Sequence, residues 1–76
     1  PAAYNNRGVA YGNLGEYKSA ISDYTTAIKL DPDYADAYKN RGIAKVNAGL
    51  SYCSDFKKAC ELGIKRVCEV YNDHCR

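Results

Sequence analysis

Methionine and tryptophan are absent from these 76 residues, and phenylalanine and histidine occur once each. With a single imidazole, His74 close to the C-terminus, histidine pairs for metal binding or acid–base chemistry are excluded, and His74 reads as a solvated terminal side chain. No apolar run approaches the roughly 20 residues that a membrane-crossing helix needs. The net charge of +2 is too small to point to nucleic acid, so no nucleic-acid partner is expected. A chain that starts at Pro1 and contains no methionine reads as part of a longer protein, with an upstream leader or domain out of view.

Aromatic mass is carried almost wholly by tyrosine, eight residues against one phenylalanine. Charge is unevenly spread: residues 1–38 have three basic and five acidic side chains (−2), and residues 39–76 have eight basic and four acidic ones (+4). That gradient reads chiefly as a solvated surface, with a mild bias toward head-to-tail contact or an acidic ligand.

Repetition organises the chain. A shift of 34 positions lays Ala3, Tyr4, Asn6, Arg7, Gly8, Ala10, Asn13 and Gly15 on Ala37, Tyr38, Asn40, Arg41, Gly42, Ala44, Asn47 and Gly49, with Val9 on Ile43. The repeated unit has helical spacing. Tyr4, Gly8 and Tyr11 share one face, and Tyr17, Ala20, Ile21, Tyr24, Ala27 and Ile28 form a second stripe. Asn13-Leu14-Gly15 supplies a stop between them, and Asp31-Pro32 breaks the chain again, because proline cannot donate a helical hydrogen bond. Small residues at Gly8, Ala20 and Ala27 leave room for Tyr4, Tyr11 and Tyr24. Helices are expected at about 2–14, 17–30, 35–48, 51–62 and 65–75.

These residues resemble the tetratricopeptide repeat family. Residues 1–34 look like one complete repeat, with Tyr4, Gly8, Tyr11, Gly15, Tyr17, Ala20, Tyr24, Ala27 and Pro32 at the family's signature positions. Residues 35–62 resemble a second repeat, with Tyr38, Gly42 and Gly49 in place. There Lys45 replaces the second aromatic, and Phe56 and Ala59 fit the late positions only after a two-residue deletion following Gly49. Residues 64–76 read as the solvating helix that closes such an array, since a terminal repeat must hide its apolar face. The resemblance implies an all-α fold and one domain: a right-handed superhelical array of two helix-turn-helix repeats plus a capping helix.

It also implies a role as a scaffold that holds a protein or peptide, with no enzymatic activity and no cofactor. By resemblance the ligand lies on the concave face lined by the first helix of each repeat. The residues mapped there are Ala2, Asn5, Val9, Gly12 and Asn13, then Asp36, Lys39, Ile43, Val46 and Asn47. Asn5, Val9, Asn13, Asp36, Lys39, Ile43 and Asn47 are the candidate partner-binding set. Asparagines there can pair with a peptide backbone, Lys39 with a carboxylate, and the aliphatic residues offer an apolar floor. Relatives that grip the acidic tail of heat-shock chaperones carry Lys and Asn where Asn5 and Val9 stand; of that set only Asn40 matches, which disfavours such a clamp. The alternative function is a structural cap or self-association unit without a ligand, a homo-oligomer formed by repeat stacking. Arg7 and Arg41, at equivalent positions, are expected to meet carboxylates of a neighbouring helix.

The four cysteines fall on the last two expected helices. Cys53 and Cys60, like Cys68 and Cys75, are seven apart, roughly 10 Å along a helix, which excludes a bond within either helix. Facing residues of an antiparallel pair keep a constant index sum. Cys60 with Cys68 and Cys53 with Cys75 both give 128, whereas the crossed pairing gives 121 and 135. Cys53–Cys75 and Cys60–Cys68 are therefore the expected bridges, and the Cys60-to-Cys68 interval also resembles the interhelical disulfide of cysteine-rich secreted relatives. They imply an oxidising location: periplasmic, cell-surface or secreted. Zinc is the weaker reading, since structural zinc sites favour close cysteine pairs and none occurs here, so no metal is expected. Ser54-x-x-Lys57 matches a hydrolase element, but its companion elements are missing, and catalysis by Ser54 and Lys57 remains the remote alternative.

Overall fold

A computed structural model describes residues 1–75 and contains five helices: α1 (Ala2–Asn13), α2 (Tyr17–Leu30), α3 (Ala35–Ala48), α4 (Cys53–Glu61) and α5 (Lys65–His74). Among the described residues there is no strand, and none of the helices is long and apolar enough to cross a membrane. Each helix packs mainly on its neighbours in sequence, and α1 also touches α3, so the chain is an all-α helical repeat stack.

The two repeats are built on the same joints. α1 ends with Gly15 at φ +78° and a bond from the Glu16 amide to the Tyr11 carbonyl. α3 ends with Gly49 at φ +74° and the equivalent bond from Leu50 to Lys45. Glycine fits this left-handed position because it has no Cβ to clash there. Within each repeat a helical glycine receives a ring. The Tyr24 ring lies where a Gly8 side chain would stand, and the Phe56 ring occupies the same place at Gly42.

Ion pairs repeat as well. Arg7 forks onto Asp23 at 2.8 and 2.7 Å, and Arg41 onto Asp55 at 2.9 and 2.6 Å, so each guanidinium meets a carboxylate of the next helix. The first pair is 16 positions apart and the second 14, which sets the two-residue deletion in the segment leading into α4. Lys45, where the first repeat has Tyr11, reaches Asp55 at 3.1 Å.

The deletion has a local cost. Leaving the Gly49 cap, the chain must reach the Asp55 position with two residues fewer. An extended residue advances about 3.3 Å against 1.5 Å in a helix. Leu50–Tyr52 are accordingly non-helical, and α4 starts at Cys53, not at residue 51. It has nine residues where α2 has 14.

Two small cores result. Ala20, Tyr24 and Ala44 form one, flanked by Tyr11, Tyr17 and Ile21; Phe56, Ala59 and Val67 form the other, flanked by Tyr38, Tyr52, Ile64 and Tyr71. Tyr52 meets Phe56 edge-on at 5.2 Å between ring centres. Cys53 is joined to Cys75 and Cys60 to Cys68, with Cα separations of 5.6 and 4.8 Å, so both bridges tie α4 to α5 or its end.

Candidate functional site

Alternate helices share one side of the stack. α1 contributes Val9, Gly12 and Asn13 to a shallow cavity of about 190 Å³, and α3 contributes Asn40, Ile43, Ala44 and Asn47. A second cavity of about 380 Å³ lies between α3 and α5, lined by Lys39, Asn40, Ile43, Phe56, Ile64, Arg66, Val67 and Val70. Asn40 and Ile43 belong to both, so the two hollows form one groove across α1, α3 and α5. Val9, Ile43 and Val70 expose 39%, 46% and 39% of their surface, enough to leave an apolar floor open to water.

The candidate residues separate on this geometry. Val9, Asn13, Lys39, Ile43 and Asn47 line the groove. Asp36 is exposed but lines neither cavity, and Asn5 is buried, its Oδ1 accepting a bond from Asn40 Nδ2 at 3.1 Å. That bond joins α1 to α3 and fixes the wall spacing, so Asn5 acts inside the packing. Ser54 and Lys57 are exposed on α4 and line none of the cavities described.

The α5 wall is what reading the sequence missed. Arg66 and Val70 come from a helix read as a solvating cap, because its main stripe of Ile64, Val67, Cys68 and Tyr71 accounts for its packing. Val70 lies off that stripe, and an exposed aliphatic there was the available signal. Arg66 stands with Lys39 as the second cation of the cavity, whose lining includes no carboxylate.

Electrostatics elsewhere serve the frame. The Arg7 guanidinium, by hydrogen bond and charge, holds the Asp23 carboxyl below its ordinary range, against the opposing effect of burial. Asp23 in turn raises Arg7 further above its already high range. Burial, helped by the neighbouring Asp23 charge, raises the Tyr24 phenol.

Two-helix units, repeated joints and an open groove define a helical repeat scaffold of the kind that holds other proteins. The chain belongs to the tetratricopeptide repeat family, whose profile matches residues 1–34. Among its relatives, small glutamine-rich tetratricopeptide repeat-containing protein 2 of Mycosarcoma maydis is 37% identical over 49 residues, covering 64% of this chain and 14% of the relative. Serine/threonine-protein phosphatase T of Aspergillus oryzae is 42% identical over 60 residues, 75% of this chain and 12% of the relative. Heat shock protein STI1 of Saccharomyces cerevisiae is 33% identical over 61 residues, 78% of this chain and 10% of the relative. The chain thus spans at most about one-seventh of the length of these three.

The relatives correct one expectation. They are cytosolic proteins, which overturns the periplasmic, cell-surface or secreted location drawn from the cysteines. The physical reason is that antiparallel packing of α4 and α5 brings the four sulfurs into register by itself, so their proximity carries no cellular address.

Proposed function

We propose that the groove across α1, α3 and α5 holds an extended peptide segment of a partner protein. The continuity of the two cavities through Asn40 and Ile43 supports this most directly. In this reading Val9, Ile43 and Val70 take apolar side chains of the ligand. Asn13 and Asn47 pair with its backbone, and Lys39 with Arg66 meets its carboxylates. Membership of a family of protein-interaction scaffolds favours the same reading.

The test compares partners captured by the unaltered chain with those captured by Ile43→Glu. Ile43 is exposed, so the substitution leaves the helical content by circular dichroism unchanged while placing a charge on the groove floor. Partners lost with Ile43→Glu, and weakened by Lys39→Ala or Asn47→Ala, support the groove. An identical set captured by all variants overturns it.

A further inference from the structure

The third wall of the groove is held differently from the other two. Ile64, Arg66, Val67 and Val70, which line the α3–α5 cavity, belong to α5 or to the residue that opens it. α5 packs chiefly on α4, and Val67 is its single buried residue. Among the described residues, no side chain of α5 makes a hydrogen bond or ion pair to another helix. α4, by contrast, is locked onto α3 without any sulfur. Asp55 takes Arg41 at 2.9 and 2.6 Å and Lys45 at 3.1 Å, and the Phe56 ring sits against Gly42. What fastens α5 beyond its small apolar patch is covalent: Cys60–Cys68 at its first turn and Cys53–Cys75 just past its last. All four cysteines are half-buried, so an attacking thiol can reach them.

We propose that the two bridges make the groove a redox-gated site, which a dithiol reductant opens by releasing α5 and re-oxidation rebuilds. The switch presupposes the peptide groove and regulates it. At each bridge a thiolate of the dithiol attacks one cysteine sulfur, the S–S bond breaks, and the other cysteine leaves as a thiolate that takes up a proton. The second thiolate of the dithiol then displaces the first cysteine, which is protonated in turn. Two electrons and two protons thus enter the protein as two thiols, and the reductant departs as a disulfide. Without its links a ten-residue helix is too short to persist alone, and Arg66 and Val70 leave the cavity with it. The α1–α3 hollow has no lining residue from α4 or α5, so it survives and keeps a weaker hold on the ligand. Binding and reduction are then reciprocal: whatever factor α5 adds to affinity, bound peptide adds to resistance against the dithiol.

The probe is a fluorescein-labelled decapeptide, selected from a random phage library on the oxidised full chain after discarding clones that also bind Ile43→Glu. Anisotropy titrations compare the oxidised, dithiol-reduced and re-oxidised chain. Affinity should fall roughly tenfold on reduction, a usual size for coupling between two sites, and return on re-oxidation. Arg66→Ala combined with Val70→Ala should weaken binding to the oxidised chain and leave the reduced chain unchanged; both residues are exposed, so the variant keeps its fold. The variant with all four cysteines changed to serine should bind like the reduced chain and ignore dithiol. Equal affinity in both redox states overturns the switch and leaves the groove standing. So does an Arg66→Ala, Val70→Ala loss of equal size in both states, or a reduced chain whose α1–α3 helices have lost amide protection, since the whole fold has then opened. A library that yields no peptide dependent on Ile43 removes the groove itself, and the switch with it.

Discussion

Gly8 and Gly42 are the positions where one atom matters most. A Cβ at Gly8 would lie 2.6 Å from Tyr24 Cε1, and one at Gly42 would press on the Phe56 ring just as hard. Gly42→Ala should therefore destabilise the chain by about 1–3 kcal/mol in urea unfolding, although alanine is the better helix former. Gly12, with nothing within 4 Å of its Cβ position, is the control: Gly12→Ala should stabilise by about 0.5–1 kcal/mol. Asp23 sets the acid limit. Its carboxyl is held low in the folded state, so its contribution is complete above the ordinary aspartate value of about 4 and is lost as pH falls through the depressed folded value. Tyr24 behaves in the opposite sense: its phenol is raised, and its contribution is lost as pH rises beyond the ordinary value of about 10. Melting temperature against pH should fall at both ends, with Asp23→Asn flattening the acid limb and Tyr24→Phe the alkaline one. Periodicity revealed the small-against-large pairing of Gly8 and Tyr24. It could not show Asn5 turned inward, because an asparagine at a helix surface and one bonded across two helices read alike.

Among the elements, α5 is the one whose attachment rests on few contacts. Val67 is its one buried residue, assisted by Ile64 and Tyr71, and ten residues are too few for a stable helix alone. The Cys53–Cys75 and Cys60–Cys68 links supply the rest, each contributing roughly 2–4 kcal/mol. Intact mass under denaturing, non-reducing conditions should fall four hydrogens below that of the all-thiol chain. Reduction with a small dithiol should detach α5, seen as lost helicity and fast amide exchange over residues 65–74, while α1–α3 remain folded. Four freely alkylatable thiols in fresh protein would remove the basis for both expectations. The helices themselves were largely legible, since each has an apolar stripe and the first four have a glycine or proline stop. The start of α4 was not. The deletion was visible as a mismatch in the alignment, but whether it shortened the turn or unwound the helix depended on the distance the chain had to cover.

At the scale of the molecule, coupling runs from each helix to the next, with the α1–α3 contact the added tie. Stability in such a stack is set by nearest-neighbour interfaces, so opening should begin at an end. The α4–α5 end is fastened by two disulfides and α1 by none, so amide protection should be weaker in α1 than in α2 and α3. Uniform exchange across all five helices would contradict this. The stacked fold could be read from the 34-residue period, but the groove's third wall could not, since it depends on how far α5 leans toward α3.

The duplicated arginine face gives the chain a direction of growth. Another copy of residues 1–34 grafted ahead of Pro1 would lay its second helix over Ala3, Arg7 and Ala10 along a seam already present inside the protein. A module added there would need no redrawn junction.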